Sequence, residues 1–323
     1  MGRFKEIDML KGLGIIFMVM GHQYYGEMFD KWIHAFHMPM FFIISGFLYS
    51  SPKSFGEKIY KKMKTLLIPY AFFASFHFLI ASTKVFILDE PINKISSYLY
   101  HICVINTEGV PICGAIWFLT ALFFVTIIYM LIDKFSKSKV SKIIWIFCLV
   151  IIGIFCPLLG YRLPWALDVA FVGVGLFFVG EVLRTFYDNK DIKRKGLWVI
   201  LGIFLSSGTI FMNYSVNLRL GCYGNVILFF VNVVLMTSSL FYLCNILGGY
   251  DYWILREVQY IGENSIVYLG FNQFILLFLK KISVNNIYFA MLVKIILLII
   301  CFLILHIIAK ILSNSRIKCL IGK

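Results

Sequence analysis

Three of the six histidines in this chain, His22, His34 and His37, fall within the short stretch GHQYYGEMFDKWIHAFH (21–37). An imidazole titrates near neutrality and can take a proton from a hydroxyl, so such a cluster is a candidate for general-base chemistry. His34 and His37 are three residues apart, a spacing that puts both on one face if the segment is a helix. Three imidazoles can also hold zinc. No carboxylate or cysteine lies at helical ligand spacing beside them, and Glu27 and Asp30 read as solvated turn residues, so no metal is expected. Lys11 precedes His22 by eleven residues, roughly 16 Å along a helix. The two side chains cannot touch, but they could hold two parts of one long ligand, an anionic group at one end and a reactive group at the other.

The elements that position these groups are written in the composition. Of 323 residues, 61% are apolar and 14% charged, and the mean hydropathy is +0.88. So few charges cannot cover a water-soluble globule of this length. The 33 Phe, 18 Tyr and 6 Trp suit membrane cores and interfacial belts. The expected fold class is therefore all-α, a polytopic integral membrane protein occupying 1–323 as a single transmembrane domain with no separate soluble part. The net charge of +14 comes from short basic clusters between apolar runs. That is an orientation signal rather than a nucleic-acid face.

A crossing helix needs about 20 mostly apolar residues. On that measure ten spans are expected, at about 7–25, 33–51, 66–87, 115–133, 143–160, 165–185, 196–213, 223–246, 263–281 and 289–311. If the N-terminus is cytoplasmic, most of the 30 lysines and arginines fall on the cytoplasmic side. Both termini are then inside, and the protein is a multi-pass cell-membrane protein. The first apolar stretch is short, preceded by acidic residues and followed by no small-residue cleavage site, so it reads as a retained helix. Asp8, Lys11 and His22 would make that helix a poor partner for lipid but a good lining for a cavity. Gly12, Gly14 and Gly21 would let it pack closely.

Other polar groups sit in or beside the apolar runs. Lys58, Lys61, Lys62 and Lys64 precede the Pro69–Tyr70 pair; they set topology and could also hold a phosphorylated donor. Trp117 opens span 4, where an aromatic anchor is the ordinary role. Asp168 and Glu181 lie in span 6. Asn264 and Ser265 could cap span 9, whereas Asn272 and Gln273 lie two turns inside it and need partners. Eight cysteines show no metal spacing; Cys103 and Cys113 share one polar loop and could pair if it faces an oxidising compartment.

Five segments, IDMLKGLGIIFMVMGH, HAFHMPMFFIISGFLY, KKMKTLLIPY, WFLTALF and IGENSIVYLGFNQ, occur in that order over nearly the full chain. Together they resemble the membrane-bound acyltransferase-3 family, which O-acylates cell-surface glycans and similar acceptors. The resemblance implies ten helices and a cytosolic acyl-coenzyme A donor, used as co-substrate with no resident cofactor. It also implies a catalytic histidine, here His22, and a basic residue separated from it by ten residues, here Lys11. The donor phosphates fall to Lys62 and Lys64. Lysine stands where many members carry arginine, which keeps the charge and loses the bidentate grip. Acceptor-binding or orienting roles fall to His37, Trp117 and Asn272. The expected activity is transfer of an acyl group, acetyl foremost, to a hydroxyl of an extracytoplasmic or lipid-linked glycan. A transporter or flippase exporting a glycan or metabolite is the alternative from another class; the pseudo-symmetry of halves common among transporters is missing.

Overall fold

The computed structural model describes residues 4–188, 195–280 and 287–323. The basic cluster Lys190, Lys193 and Arg194, expected to help set orientation, lies outside the described residues. Among the described residues the chain is helical, in fourteen α-helices with short 3₁₀ and π segments and no strands: α1 (Lys5–Gly21), α2 (Glu27–His34), α3 (His37–Phe47), α4 (Phe55–Lys62), α5 (Ile68–Ile87), α6 (Asn93–Cys103), α7 (Trp117–Phe135), α8 (Lys139–Leu158), α9 (Leu167–Asp188), α10 (Lys195–Met212), α11 (Val226–Leu247), α12 (Trp253–Glu263), α13 (Ser265–Leu279) and α14 (Ile287–Asn314).

Among the described residues six helical stretches are long and apolar enough to cross a bilayer: Phe55–Ile87, Gly114–Phe135, Lys139–Leu158, Pro164–Tyr187, Val226–Leu247 and Phe289–Asn314. The other expected spans coincide with shorter or broken helices. α1 has 17 residues and carries Asp8 and Lys11. The span expected at 33–51 is divided between α2 and α3 by a turn at Ala35–Phe36. Much of the apolar surface faces outward: Phe147 on α8 and Leu303 on α14 are each about 60% exposed. Burying such faces requires lipid or another apolar partner.

The chain divides into two compact units. The first comprises Met1–Ser50, Gly173–Leu218 and Cys222–Ser265. Its helices meet at glycines. A Cβ at Gly12 would lie 1.9 Å from the Val258 carbonyl oxygen on α12, and one at Gly262 would lie 1.8 Å from the Asp8 carbonyl oxygen on α1. The two backbones are therefore in direct contact. The same device joins α3 to α9, where Gly46 faces the Phe177 carbonyl and Gly180 the Ile43 carbonyl. In lipid, helix association depends on van der Waals packing rather than on escape from water, and bare backbones gain most of it.

The second unit comprises Ser51–Val172, Arg219–Gly221 and Ile266–Lys323. Here α4 runs through a π segment, Met63–Leu67, into α5. Pro69 at the head of α5 has no N–H to give the preceding turn, which accounts for the widened helix at that point. The Thr65 hydroxyl donates to the Lys61 carbonyl at 3.0 Å and so satisfies part of the disturbed ladder. At the other end of the unit, Arg162 Nε donates to Asp168 Oδ2 at 2.8 Å, and Arg162 Nη2 donates to the Arg219 carbonyl at 2.8 Å. Asp168 is fully buried, so its place in span 6 is explained by this ion pair.

Candidate active site

In the first unit α1 carries Lys11 in its middle and ends at Gly21, with His22 as its C-cap. The Lys11 ammonium donates to Asp8 Oδ1 at 3.2 Å, one turn back on the same helix. A lysine at this depth is thus charge-compensated within its own helix. Gly21 abuts the next element: a Cβ there would meet His34 Cε1 at 3.2 Å and His34 Nε2 at 3.6 Å. The end of α1, with half-buried His22, is therefore packed on the ring of His34.

His34 and His37 belong to different helices, not to one face of a continuous span. Their rings nevertheless meet edge to face, with centroids 5.1 Å apart. The break between α2 and α3 explains how. The Nδ1 of His34 lies 2.9 Å from the Asp30 carbonyl oxygen, and the Nδ1 of His37 lies 2.8 Å from that of Ile33. At the break the Ile33 carbonyl has only a long bond from the Phe36 N–H, at 3.3 Å, and the His37 ring adds a closer donor, as the His34 ring does to a carbonyl one turn back in its own helix. A carbonyl can only accept, so both rings carry their proton on Nδ1 and, when neutral, present Nε2 as a bare acceptor. His37 is buried and within electrostatic range of both His34 and His22. The three histidines singled out by sequence are thus brought together at the end of α1. Among the described residues no set of three or more His, Cys, Asp or Glu side chains is arranged to hold a metal ion.

The second unit holds the remaining candidates. Lys62 ends α4 and is half-buried; Lys64 lies in the π segment and is exposed, its ammonium 4.5 Å from the centre of the Tyr60 ring. Trp117 begins α7 and is only 3% exposed, so its ring is inside the unit and not in an interfacial belt. Asn272 on α13 is fully buried. Its amide donates to the Tyr268 carbonyl at 2.9 Å and the Leu269 carbonyl at 2.8 Å, while its Oδ1 has no hydrogen-bond partner. Asn264 is the C-cap of α12, with its amide on the Tyr260 carbonyl at 2.8 Å.

The sequence marked Gln273 as needing a partner, and it did not single out His77 or Arg219. Gln273 accepts the Gly114 N–H at 2.7 Å and ties α13 to the turn that leads into α7. His77 is fully buried and lies 2.8 Å through Nε2 from the Gly270 carbonyl, leaving Nδ1 without a partner. One histidine in the apolar run FFASFHFLIAS was the signal for it. The Arg219 guanidinium lies over Gly114, where a Cβ would be 2.1 Å from Nη1. Burial lowers its pKa below the ordinary arginine value, with Glu108 acting in the opposite sense. Cys103 and Cys113 are both free thiols; burial pushes the Cys113 thiol up to about 12.

A family model described as an acyltransferase domain matches residues 4–311 of the chain. The chain belongs to the membrane-bound acyltransferase-3 family. Its long apolar helices fit a multi-pass membrane protein of that family. Over 178 residues it is 27% identical to Nodulation protein NolL of Mesorhizobium japonicum, a match that covers 49% of this chain and 45% of that relative. The match thus spans less than half of the relative's length. No solved structure matches the chain.

Proposed function

We propose that the protein is a multi-pass O-acyltransferase of the cell membrane. In this reading it moves an acyl group, acetyl foremost, from cytosolic acyl-coenzyme A to a hydroxyl of an extracytoplasmic or lipid-linked glycan. In this reading the ten spans expected from the sequence all cross the bilayer, with both termini in the cytoplasm. His22 is the general base: it takes the acceptor proton while the oxygen attacks the thioester carbonyl, and the coenzyme A thiolate leaves. Lys11, Lys62 and Lys64 hold the donor phosphates as point charges. His37 orients His22 or the acceptor, and Trp117 and Asn272 serve the acceptor.

The observation that carries this reading is the meeting of three histidines at the end of α1, with the Nδ1 of His34 and of His37 already engaged by backbone carbonyls. Proton transfer by a positioned imidazole contributes about 10²–10⁴-fold to a rate. Purified His22→Ala protein, given labelled acetyl-coenzyme A and a surface-glycan extract, should lose acceptor-dependent transfer by a factor in that range while eluting as a folded species. Transfer at the parent rate would remove His22 from the mechanism. Mass spectrometry of surface glycans from cells with and without the protein would then identify the acceptor.

A further inference from the structure

Beside the histidine cluster, the first unit contains an open cavity of about 510 Å³, inside the ~300–1,000 Å³ range of small-molecule sites. Its wall includes Tyr24, Glu27, Asp30, Lys31, His34 and Asn217. His34 is the shared element: the ring that lines the cavity also meets His37 and packs against Gly21 at the end of α1. A molecule in the cavity therefore lies against the same ring as the candidate base.

The wall chemistry is specific. Glu27 and Asp30 are acceptor-only when ionised and take strong hydrogen bonds from hydroxyls. Lys31 donates to the Phe211 carbonyl at 3.1 Å, at the C-terminal end of α10, which fixes the place of its positive charge in the wall. Glu27 and Asp30 together outnumber that one ammonium, so with His34 neutral the wall carries a net negative charge. Asn217 adds an amide that can both donate and accept. Tyr24 is half exposed and held at φ +55°, a conformation an L-residue adopts only when its surroundings impose it. An aromatic face beside planar polar groups suits a ring with apolar C–H faces and a hydroxylated rim.

We infer that this cavity is the acceptor subsite and that it takes a saccharide without carboxylate or phosphate, a neutral or amino sugar. The inference rests on the acyltransferase reading above and adds the class of acceptor to it. An acidic sugar would have to approach two carboxylates, Glu27 exposed and Asp30 half-buried. One such like-charge contact weakens binding by on the order of tenfold.

The test reads binding separately from catalysis. Purified protein in detergent is examined by saturation-transfer NMR with methyl β-glucoside, glucosamine and glucuronic acid as probes. The first two should give signal, and glucuronic acid should bind at least about tenfold more weakly. Ser215→Trp, which fills the cavity from an exposed wall position, should abolish the signal. The double variant Glu27→Gln/Asp30→Asn should raise glucuronic acid to the level of the glucoside. Absence of binding by both favoured probes, equal binding of glucuronic acid to the parent, or parent-like binding by Ser215→Trp would each overturn the proposal. His22→Ala should bind the sugars as the parent does. If it also transfers acyl groups normally, the base assignment fails and the cavity stands; if it fails to transfer but no probe binds any form, the reverse holds.

Discussion

The contact between α1 and α12 makes a demanding prediction, because two different kinds of effect oppose each other at one residue. Gly12→Ala adds a methyl group whose carbon would lie 1.9 Å from the Val258 carbonyl oxygen, where ordinary contact begins at 3.4 Å. Backbone oxygen cannot swing aside as a side chain does, so the helices must part by about 1.5 Å. Overpacking of this kind costs about 1–3 kcal/mol. Against it stands the helix preference of alanine, worth roughly 0.5–1 kcal/mol over glycine. The clash wins, and the variant should be destabilised by about 1–2 kcal/mol. Gly208 on α10 supplies the control, since a Cβ there meets nothing within 4 Å; Gly208→Ala should be neutral or stabilising. Gly262→Ala clashes with α1 from the other side, at 1.8 Å from the Asp8 oxygen. Once one methyl has parted the helices the second costs little, so the Gly12→Ala/Gly262→Ala double should fall short of additivity by at least ~0.5 kcal/mol. Thermal unfolding in detergent, followed by tryptophan fluorescence, ranks the four proteins. A Gly12→Ala melting point at or above that of Gly208→Ala would refute the backbone contact.

Other expectations are independent of that contact. Arg162→Ala leaves the fully buried Asp168 carboxylate without its 2.8 Å partner and should cost about 3–5 kcal/mol; adding Asp168→Asn should restore part of the loss in the same melt. Lys62→Ala and Lys64→Ala should each raise the apparent KM for acetyl-coenzyme A a few-fold with little change in kcat. That effect should shrink as salt is added, since point-charge attraction is screened; an unchanged KM would take these residues out of donor binding. With maleimide added to purified protein, the exposed thiols of Cys103 and Cys222 should label readily. Cys113, buried and protonated throughout the neutral range because burial holds its pKa near 12, should label only after unfolding; rapid labelling of Cys113 would contradict its burial.

How much of this was legible beforehand depended on the range of the forces involved. Apolar runs against basic clusters gave the helical character directly, because a transmembrane segment must satisfy its backbone internally whatever its neighbours are. The glycines of the first helix signalled close packing, and each of Gly12, Gly14 and Gly21 does meet a neighbour within 3.4 Å of an added Cβ. Which neighbour each meets was not readable, since nothing in GLGIIFMVMG names α12, α3 or the ring of His34. The break at Ala35–Phe36 was also missed. Neither residue is a helix breaker, and periodicity does not register the His34 and His37 ring N–H groups that donate to the Asp30 and Ile33 carbonyls there. Trp117 looked like an interfacial anchor because tryptophan at a helix start usually is one, whereas packing within the unit buries it. His77 and Gln273 were overlooked or left open for the same reason: their carbonyl and N–H partners are backbone groups distant in sequence.

The histidine cluster joins these two levels. A continuous helix through 27–47 would give the Ile33 carbonyl a regular backbone N–H donor and leave the His37 ring free to rotate and to carry a proton on either nitrogen. At the break the Phe36 N–H reaches Ile33 only at 3.3 Å, while the His37 ring reaches the same oxygen at 2.8 Å. The ring thus adds a shorter bond to an oxygen that the backbone reaches only loosely, and in doing so it gives up its freedom. With Nδ1–H spent on the helix end, any proton these rings accept must arrive at Nε2, and for His34 that nitrogen lies against the end of α1 beside His22. The interruption that shortens the second span is therefore the same feature that orients the imidazoles. A substitution that let α2 run into α3 would be expected to lengthen the helix and disperse the cluster in one event.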